Sequence, residues 1–308
     1  EFEVITHTGE RGETIFANES GLVFTPKRAP QYLIVRKSNP LLSSVPAACP
    51  LQARLGLVGA KTLAVQIDNP SDASFNGTLH LTQSAGVGNS GQRGIKLKPG
   101  ETSKLLNFAS APSTNSEIMA GLRIESEGTV MLELAPRRFR PLADAMLSEG
   151  RIVSDGDAKI ASQQSIAVSI APEPLPGLNS PVVKINYQCA EGWKFFRVVP
   201  ADSHSHGIVG APAGFGLWVY GDGRNASPRL RIVDATGQTF QPTAAAIDWT
   251  GWRYLEFDFN APAGHWGGAN DGVIHFPIRW DTLFLLDNVS RQKSEGTLYL
   301  ASPALIYP

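Results

Sequence analysis

The feature that most constrains this chain is the near absence of helical periodicity. Only the segment 141–149 (PLADAMLSE) has helix-like composition, and it stops at Gly150. Elsewhere the sequence runs in short β-rich stretches broken by Gly, Pro, Asn and Asp. The chain holds 30 Gly and 22 Pro, which mark the turns between those stretches. With 42% hydrophobic residues it has enough apolar side chain to build cores, so these breakers do not signal disorder. Charged residues make up 18%, below the usual ~25%. These properties predict an all-β protein. Its length of 308 residues, at about 150 per domain, predicts two domains.

Charge and hydropathy exclude other classes. A net charge of −1 argues against a nucleic-acid partner, which calls for a basic face. No apolar run approaches the ~18 residues of a membrane-spanning helix, so no membrane partner is expected. Glu1-Phe2 reads as a possible cloning remnant. Cys49 and Cys189 either bridge the two halves of the chain or stand as separate thiols, and neither has a CxxC partner.

The first half begins with a hairpin-like stretch, residues 14–16 and 22–24 flanking Asn18-Glu19-Ser20-Gly21. A strand follows at 31–36, then a Pro- and Ser-rich loop at 38–50. A clearer unit comes next. Strands are predicted at 62–67 (TLAVQI), closed by Asp68-Asn69-Pro70, and at 77–82 (GTLHLT), 94–97, 104–108, 122–124 and 129–134. Lys98-Pro99-Gly100-Glu101 reads as a tight turn. This order resembles the immunoglobulin-like or fibronectin-III-like domains appended to bacterial secreted enzymes.

The second half holds all six tryptophans, Trp193, Trp218, Trp249, Trp252, Trp266 and Trp280. Strands are legible at 182–187, 194–199, 216–220, 229–233, 253–259, 282–287 and 297–300, with turns at 234–237 and 248–251. Seven or eight strands in this length suit a jelly roll. The runs 216–223 (GLWVYGDG), 229–238 (RLRIVDATGQ) and 247–253 (IDWTGWR), with the ending 296–300 (GTLYL), resemble carbohydrate-binding jelly-roll modules found beside catalytic domains of bacterial glycoside hydrolases. Many such modules place an Asp in the last strand as a calcium ligand. Leu300-Ala301-Ser302 stands here, which argues against a conventional structural calcium site, and no cofactor is expected. The resulting division is an N-terminal extension (1–27), an immunoglobulin-like sandwich (28–148) and a jelly-roll sandwich (149–308).

Strand parity supplies candidate ligand-binding residues, because residues i and i+2 share a face. Leu217, Val219, Leu230, Ile232, Leu255, Phe257 and Phe259 form an aliphatic side. If the three strands share a sheet, the opposite side carries Trp218, Tyr220, Arg229, Arg231, Tyr254 and Glu256. Such a face suits a saccharide, whose rings have apolar C–H sides edged by hydroxyls, and its arginines suit an acidic sugar. The competing reading buries Trp218 and Tyr220 under another layer and pairs the arginines with Glu256 and Asp258.

A second candidate is the loop pair His265 and Trp266, flanked by Gly264, Gly267 and Gly268 and expected to be exposed. Trp249 and Trp252 are expected to plug the end of the sandwich. Asp202, His204 and His206 could ligate a metal but fall on a segment that reads as a solvated loop. Many aspartates lie at turns, and no Gly-x-Ser-x-Gly, HExxH or P-loop motif occurs. The expected function is non-catalytic polysaccharide binding by an accessory region linked to the catalytic domain of a secreted or periplasmic enzyme. The alternatives are a structural brace for that catalytic domain and a β-sandwich glycan hydrolase or lyase.

Overall fold

A computed structural model of the chain describes residues 2–6, 11–15, 31–35, 51–83, 91–109, 117–143, 145–156, 165–170, 178, 182–201 and 207–308. Strand is the dominant element among the described residues, with a single short helix, and all the strand pairings are antiparallel, in keeping with the all-β expectation. Two compact units are present, Glu1–Cys49 and Pro50–Pro308.

In the first unit β1 (Phe2–Thr6) pairs with both β2 (Arg11–Ile15) and β3 (Gln31–Val35). The strand expected at 31–36 is therefore β3. The turn and second arm of the hairpin expected over 14–24 lie outside the described residues, as does Cys49. The boundary expected at 27/28 falls between β2 and β3, which share one sheet through β1.

The second unit begins with β4 (Gln52–Val58), β5 (Thr62–Asp68), β6 (Phe75–Gln83), β7 (Gly91–Leu97), β8 (Leu106–Ala109), β9 (Ile118–Ser126) and β10 (Thr129–Pro141). A single helical turn, α1 (Ala145–Ser148), is shorter than the 141–149 expected, because Pro141 still belongs to β10. Then come β11 (Arg151–Gly156), β12 (Ser165–Ile170), β13 (Val183–Cys189), β14 (Lys194–Val199), β15 (Gly207–Ile208), β16 (Gly214–Asp222), β17 (Ser227–Val233), β18 (Thr239–Gln241), β19 (Thr250–Asp258), β20 (Gly264–Trp266), β21 (Ile278–Asp287) and β22 (Ser294–Tyr307).

Strand β5 is buried along Leu63–Ile67 rather than alternating, since it is the middle strand of the sheet β4-β5-β8. The turn after β7 forms as its residues require. Gly100 takes a positive φ of 68°, Glu101 N donates to Lys98 O, and Glu101 Oε2 accepts from Lys98 N at 2.7 Å. Buried Asn69 donates to the carbonyls of Ala73 and Lys98, which ties the Asn-Pro turn to the same corner. Arg93 of β7 lies over the Phe108 ring of β8 at 4.8 Å, so the three-stranded sheet meets the strands beside β6.

The last strand is the spine of the unit. Its first half pairs with β13, its last four residues pair with β10, and its other edge pairs with β16. It runs well past the strand expected at 297–300, with an irregularity in its pairing to β16 near Ser302, whose φ is 53°. Ser302 Oγ accepts from Gly59 N at 2.9 Å, which joins β22 to the turn after β4. Because β10 and β22 exchange backbone hydrogen bonds, one nine-stranded sheet continues across the boundary expected at 148/149.

A seven-stranded sheet, ordered β11-β14-β21-β17-β18-β20 with β15 beside β21, packs on the β13/β22/β16/β19 part of the spine. The core between them holds Leu217, Val219, Leu230, Ile232, Leu255, Phe257 and Phe259, the aliphatic side expected from parity. Trp249 and Trp280 join the same core.

Candidate functional site

The eight candidate residues do not form one face, because their strands divide between two sheets. Strands β16 and β19 are neighbours in the nine-stranded sheet, whereas β17 belongs to the seven-stranded one. This corrects the expectation that Trp218, Tyr220, Arg229, Arg231, Tyr254 and Glu256 line a common cleft.

The β16/β19 half of that expected face is covered. Trp218 is fully buried, and its Nε1 donates to Leu57 O of β4 at 2.8 Å. Tyr254 packs against it at a tilt, with ring centroids 5.2 Å apart, and lies between two glycines, Gly56 and Gly216, where a Cβ on either would run into the ring. Its hydroxyl is buried without a hydrogen-bond partner, and burial raises its pKa well above the ordinary tyrosine value. Tyr220 is half-buried and packs edge-on against Trp252 and Tyr299. Gln66 Nε2 donates to Trp252 O at 2.7 Å, so β5 also contributes to the cover. Glu256 is exposed but forms an ion pair with Arg137 of β10, not with Arg229 or Arg231. The covering layer is made by β4, β5 and β10, from the first half of the sequence.

The outer face of the seven-stranded sheet gathers the other residues. Cross-strand partners place them in rows on the side away from the core. One row runs Val153, Arg197, Leu285, Arg229; the next Thr282, Arg231, Gln241, Gly264; the third Arg279, Val233, Thr239, Trp266. Trp266 is 44% exposed. Arg231 lies over its ring at 5.3 Å and over the Phe195 ring at 5.5 Å, while its Nε donates to Gln241 Oε1 at 2.8 Å. Phe195 in turn meets Trp193, which is 52% exposed, with centroids 5.5 Å apart. An indole, a guanidinium, a phenyl ring and a second indole thus form a continuous line. An aromatic platform and planar hydrogen-bonding groups stand together here, the combination a sugar ring needs. Cation–π contacts of this kind contribute about 0.5–1 kcal/mol at exposed sites and fix the platform's orientation.

The carboxylates of this face sit beside arginines. Arg229 pairs with Asp287 at 3.1 Å and Arg197 with Asp281 at 3.4 Å. Burial raises the Asp287 pKa, partly offset by Arg229, Arg231 and Arg291. Arg229 Nε and Asp287 Oδ1 are buried with no hydrogen-bond partner, so that pair is only partly satisfied. Sequence reasoning missed Trp193, Phe195, Arg197 and Gln241. Phe195 was open to discovery, because of Phe195-Phe196 only one can face the core, and Phe196 does.

His265 and Trp266 are both exposed, as expected, but adjacent residues of β20 point to opposite sides. His265 packs on the Phe240 ring at 5.8 Å and lines a separate cleft of about 520 Å³ with Phe259, Phe276 and Ile274. Beyond β20 the chain is pinned to the 234–238 turn. Asp234 accepts from Thr236 N, Thr236 Oγ1, Gln238 N and His275 N, and these hydrogen bonds outweigh its burial and lower its pKa. Gln238 donates to Asp271 and Val273 O, and Thr236 Oγ1 accepts from Ala269 N. These contacts hold the loop that follows Trp266.

An Asp271–His275 pair at 2.9 Å closes that loop. Their mutual hydrogen bond holds Asp271 down to about 2 and raises His275 above its ordinary value. The His275 contribution is complete below about pH 6.5 and is lost as pH rises through the raised folded value. The Asp271 contribution is complete above about pH 4 and is lost as pH falls through its lowered one. Hydrogen-exchange protection of the Val273 and His275 amides should therefore be greatest between those limits and decline on both sides. His275→Gln should remove the alkaline decline. Protection unchanged from pH 5 to 9 in the native protein would count against the pair.

Asp202, His204, His206 and Cys49 lie outside the described residues. Among the described residues no group of three or more His, Cys, Asp or Glu side chains is placed to hold a metal ion. Cys189 is buried in the core.

No family model matches the chain, and no curated protein matches it. Among solved structures it is similar to the family 11 carbohydrate-binding module of the cellulosomal cellulase Lic26A-Cel5E of Clostridium thermocellum. The identity is 11%, the match covers 51% of this chain and 87% of that one, and the TM-score is 0.36. At that score the likeness decides neither fold nor ligand.

Proposed function

We propose that the chain binds a polysaccharide without cleaving it, on the outer face of the seven-stranded sheet. One observation carries the reading: Trp266 stands exposed, backed by Arg231, which Gln241 holds in place. The ring offers an apolar platform, and Gln241, Thr239 and the arginines offer hydrogen bonds around it. The jelly-roll reading of residues 149–308 and the immunoglobulin-like reading of 28–148 belong to the same proposal. In it the chain is an accessory region of a secreted or periplasmic carbohydrate-active enzyme, and binding raises the effective concentration of substrate at the linked catalytic domain.

Affinity electrophoresis of the whole chain against a polysaccharide panel tests this, with release of reducing ends assayed alongside. The native protein should be retarded by at least one glycan. Trp266→Ala should abolish that retardation with the unfolding midpoint little changed, because Trp266 is 44% exposed and lies outside the core. Equal retardation of native protein and variant would remove Trp266 from the site. Liberated reducing ends would replace binding with hydrolysis or lysis.

The structural-brace reading has one observation behind it. Trp218 and Tyr254 pack against β4, so two of the eight candidate residues serve the interior instead. No retardation on any glycan would leave that reading standing.

A further inference from the structure

Resting on the binding site proposed above, we infer that its ligand is an acidic polysaccharide carrying uronate carboxylates. The outer face of the seven-stranded sheet is positively charged on a chain whose net charge is −1. Its strand positions carry five arginines: Arg151, Arg197, Arg229, Arg231 and Arg279. Against them, among the described side chains, stand Asp281 and Asp287. Two of the arginines, Arg197 and Arg229, already face Asp281 and Asp287. Arg151 and Arg279 are exposed and meet no carboxylate among the described residues. No lysine contributes an outward position on β17, β18, β20 or β21.

The arginines are spread over the same face as the platform, from Arg151 on the edge strand β11 to Arg231 against Trp266. Arg279 shares a row with Trp266, and Arg229 and Arg231 are two residues apart on one strand, so their Cα atoms are separated by about 7 Å. A guanidinium is planar and matches a carboxylate with two parallel hydrogen bonds, which a lysine ammonium does not. A uronate presents that carboxylate on the rim of a ring whose C–H side can rest on Trp266. A neutral sugar would bring no carboxylate to Arg151 and Arg279.

The test compares ligands that share a backbone. The whole chain is run by affinity electrophoresis against polygalacturonate, the same polymer fully methyl-esterified, alginate, dextran sulfate and a neutral β-glucan. Retardation by polygalacturonate or alginate is expected, with at least a tenfold loss on the esterified polymer and further weakening at raised salt. Arg151→Gln and Arg279→Gln should each weaken polyuronate binding about two- to fivefold, the range of an exposed ion pair, at unchanged unfolding midpoints. Equal binding of esterified and free polymer, or preference for the β-glucan, would overturn the acidic-ligand inference while leaving the binding site intact. Dextran sulfate bound as tightly as polyuronate would reduce the face to a general anion exchanger and overturn it as well. Failure of every glycan would overturn the binding site itself.

Discussion

Trp218→Ala is expected to lower the unfolding free energy by about 3–5 kcal/mol, the range for truncating a buried Trp or Phe in a packed core. Trp218 is fully buried, so the variant loses both the transfer free energy of the indole and its packing against Tyr254. It also leaves Leu57 O of β4 without the donor it has in the native protein. Against a total stability of about 5–15 kcal/mol this is a large fraction. Chemical denaturation should show a midpoint far below that of the native chain. Trp266→Ala, made in parallel, removes the same side chain from an exposed position and should move the midpoint little. A Trp218→Ala variant as stable as Trp266→Ala would mean that β4 does not cover this face.

Gly216→Ala carries the second large effect. A Cβ there would run into the Tyr254 hydroxyl and ring, and Gly56 blocks the ring's retreat on the other side. Tyr254 is itself buried, so the strain has to be absorbed by shifting β4 or β19. Overpacking of this kind costs about 1–3 kcal/mol and sometimes more. Gly94→Ala is the matching control, because nothing lies within 4 Å of the added carbon, and it should be neutral within about 0.5 kcal/mol. Tyr254→Phe should be neutral or stabilising, since it deletes a buried hydroxyl that has no partner. A neutral Gly216→Ala, read by the same denaturation midpoints, would show that the ring is not clamped.

The two predictions bear on one feature of the architecture. The β16/β19 face looks, residue by residue, like the richer saccharide surface, with Trp218, Tyr220, Trp252 and Tyr254 on alternating positions. The first half of the chain covers it through β4, β5 and β10. Trp266 and its arginines lie on the other sheet, on the side away from the shared core. The aromatic residues of β16 and β19 are therefore structural, whereas Trp266 stays exposed.

Much of this was legible in the residues. The missing helical period and the Gly, Pro, Asn and Asp punctuation specify antiparallel strands. Alternation along 217–219, 230–232 and 255–259 specifies which side chains enter the core. Glycines on both sides of His265-Trp266 mark an exposed edge strand. These are local properties, set by the two-residue period of a strand and by the backbone freedom of particular residues. Period two says which residues share a side of a strand; it does not say which strand lies beside it or what covers that side. Only the tertiary structure places β17 in a different sheet from β16 and β19, and only it lays β4 on Trp218. Both outcomes depend on pairings distant in sequence, Leu57 with Trp218 and Arg229 with Leu285. Their stability comes from the sum of many side chains buried together, which no short motif encodes.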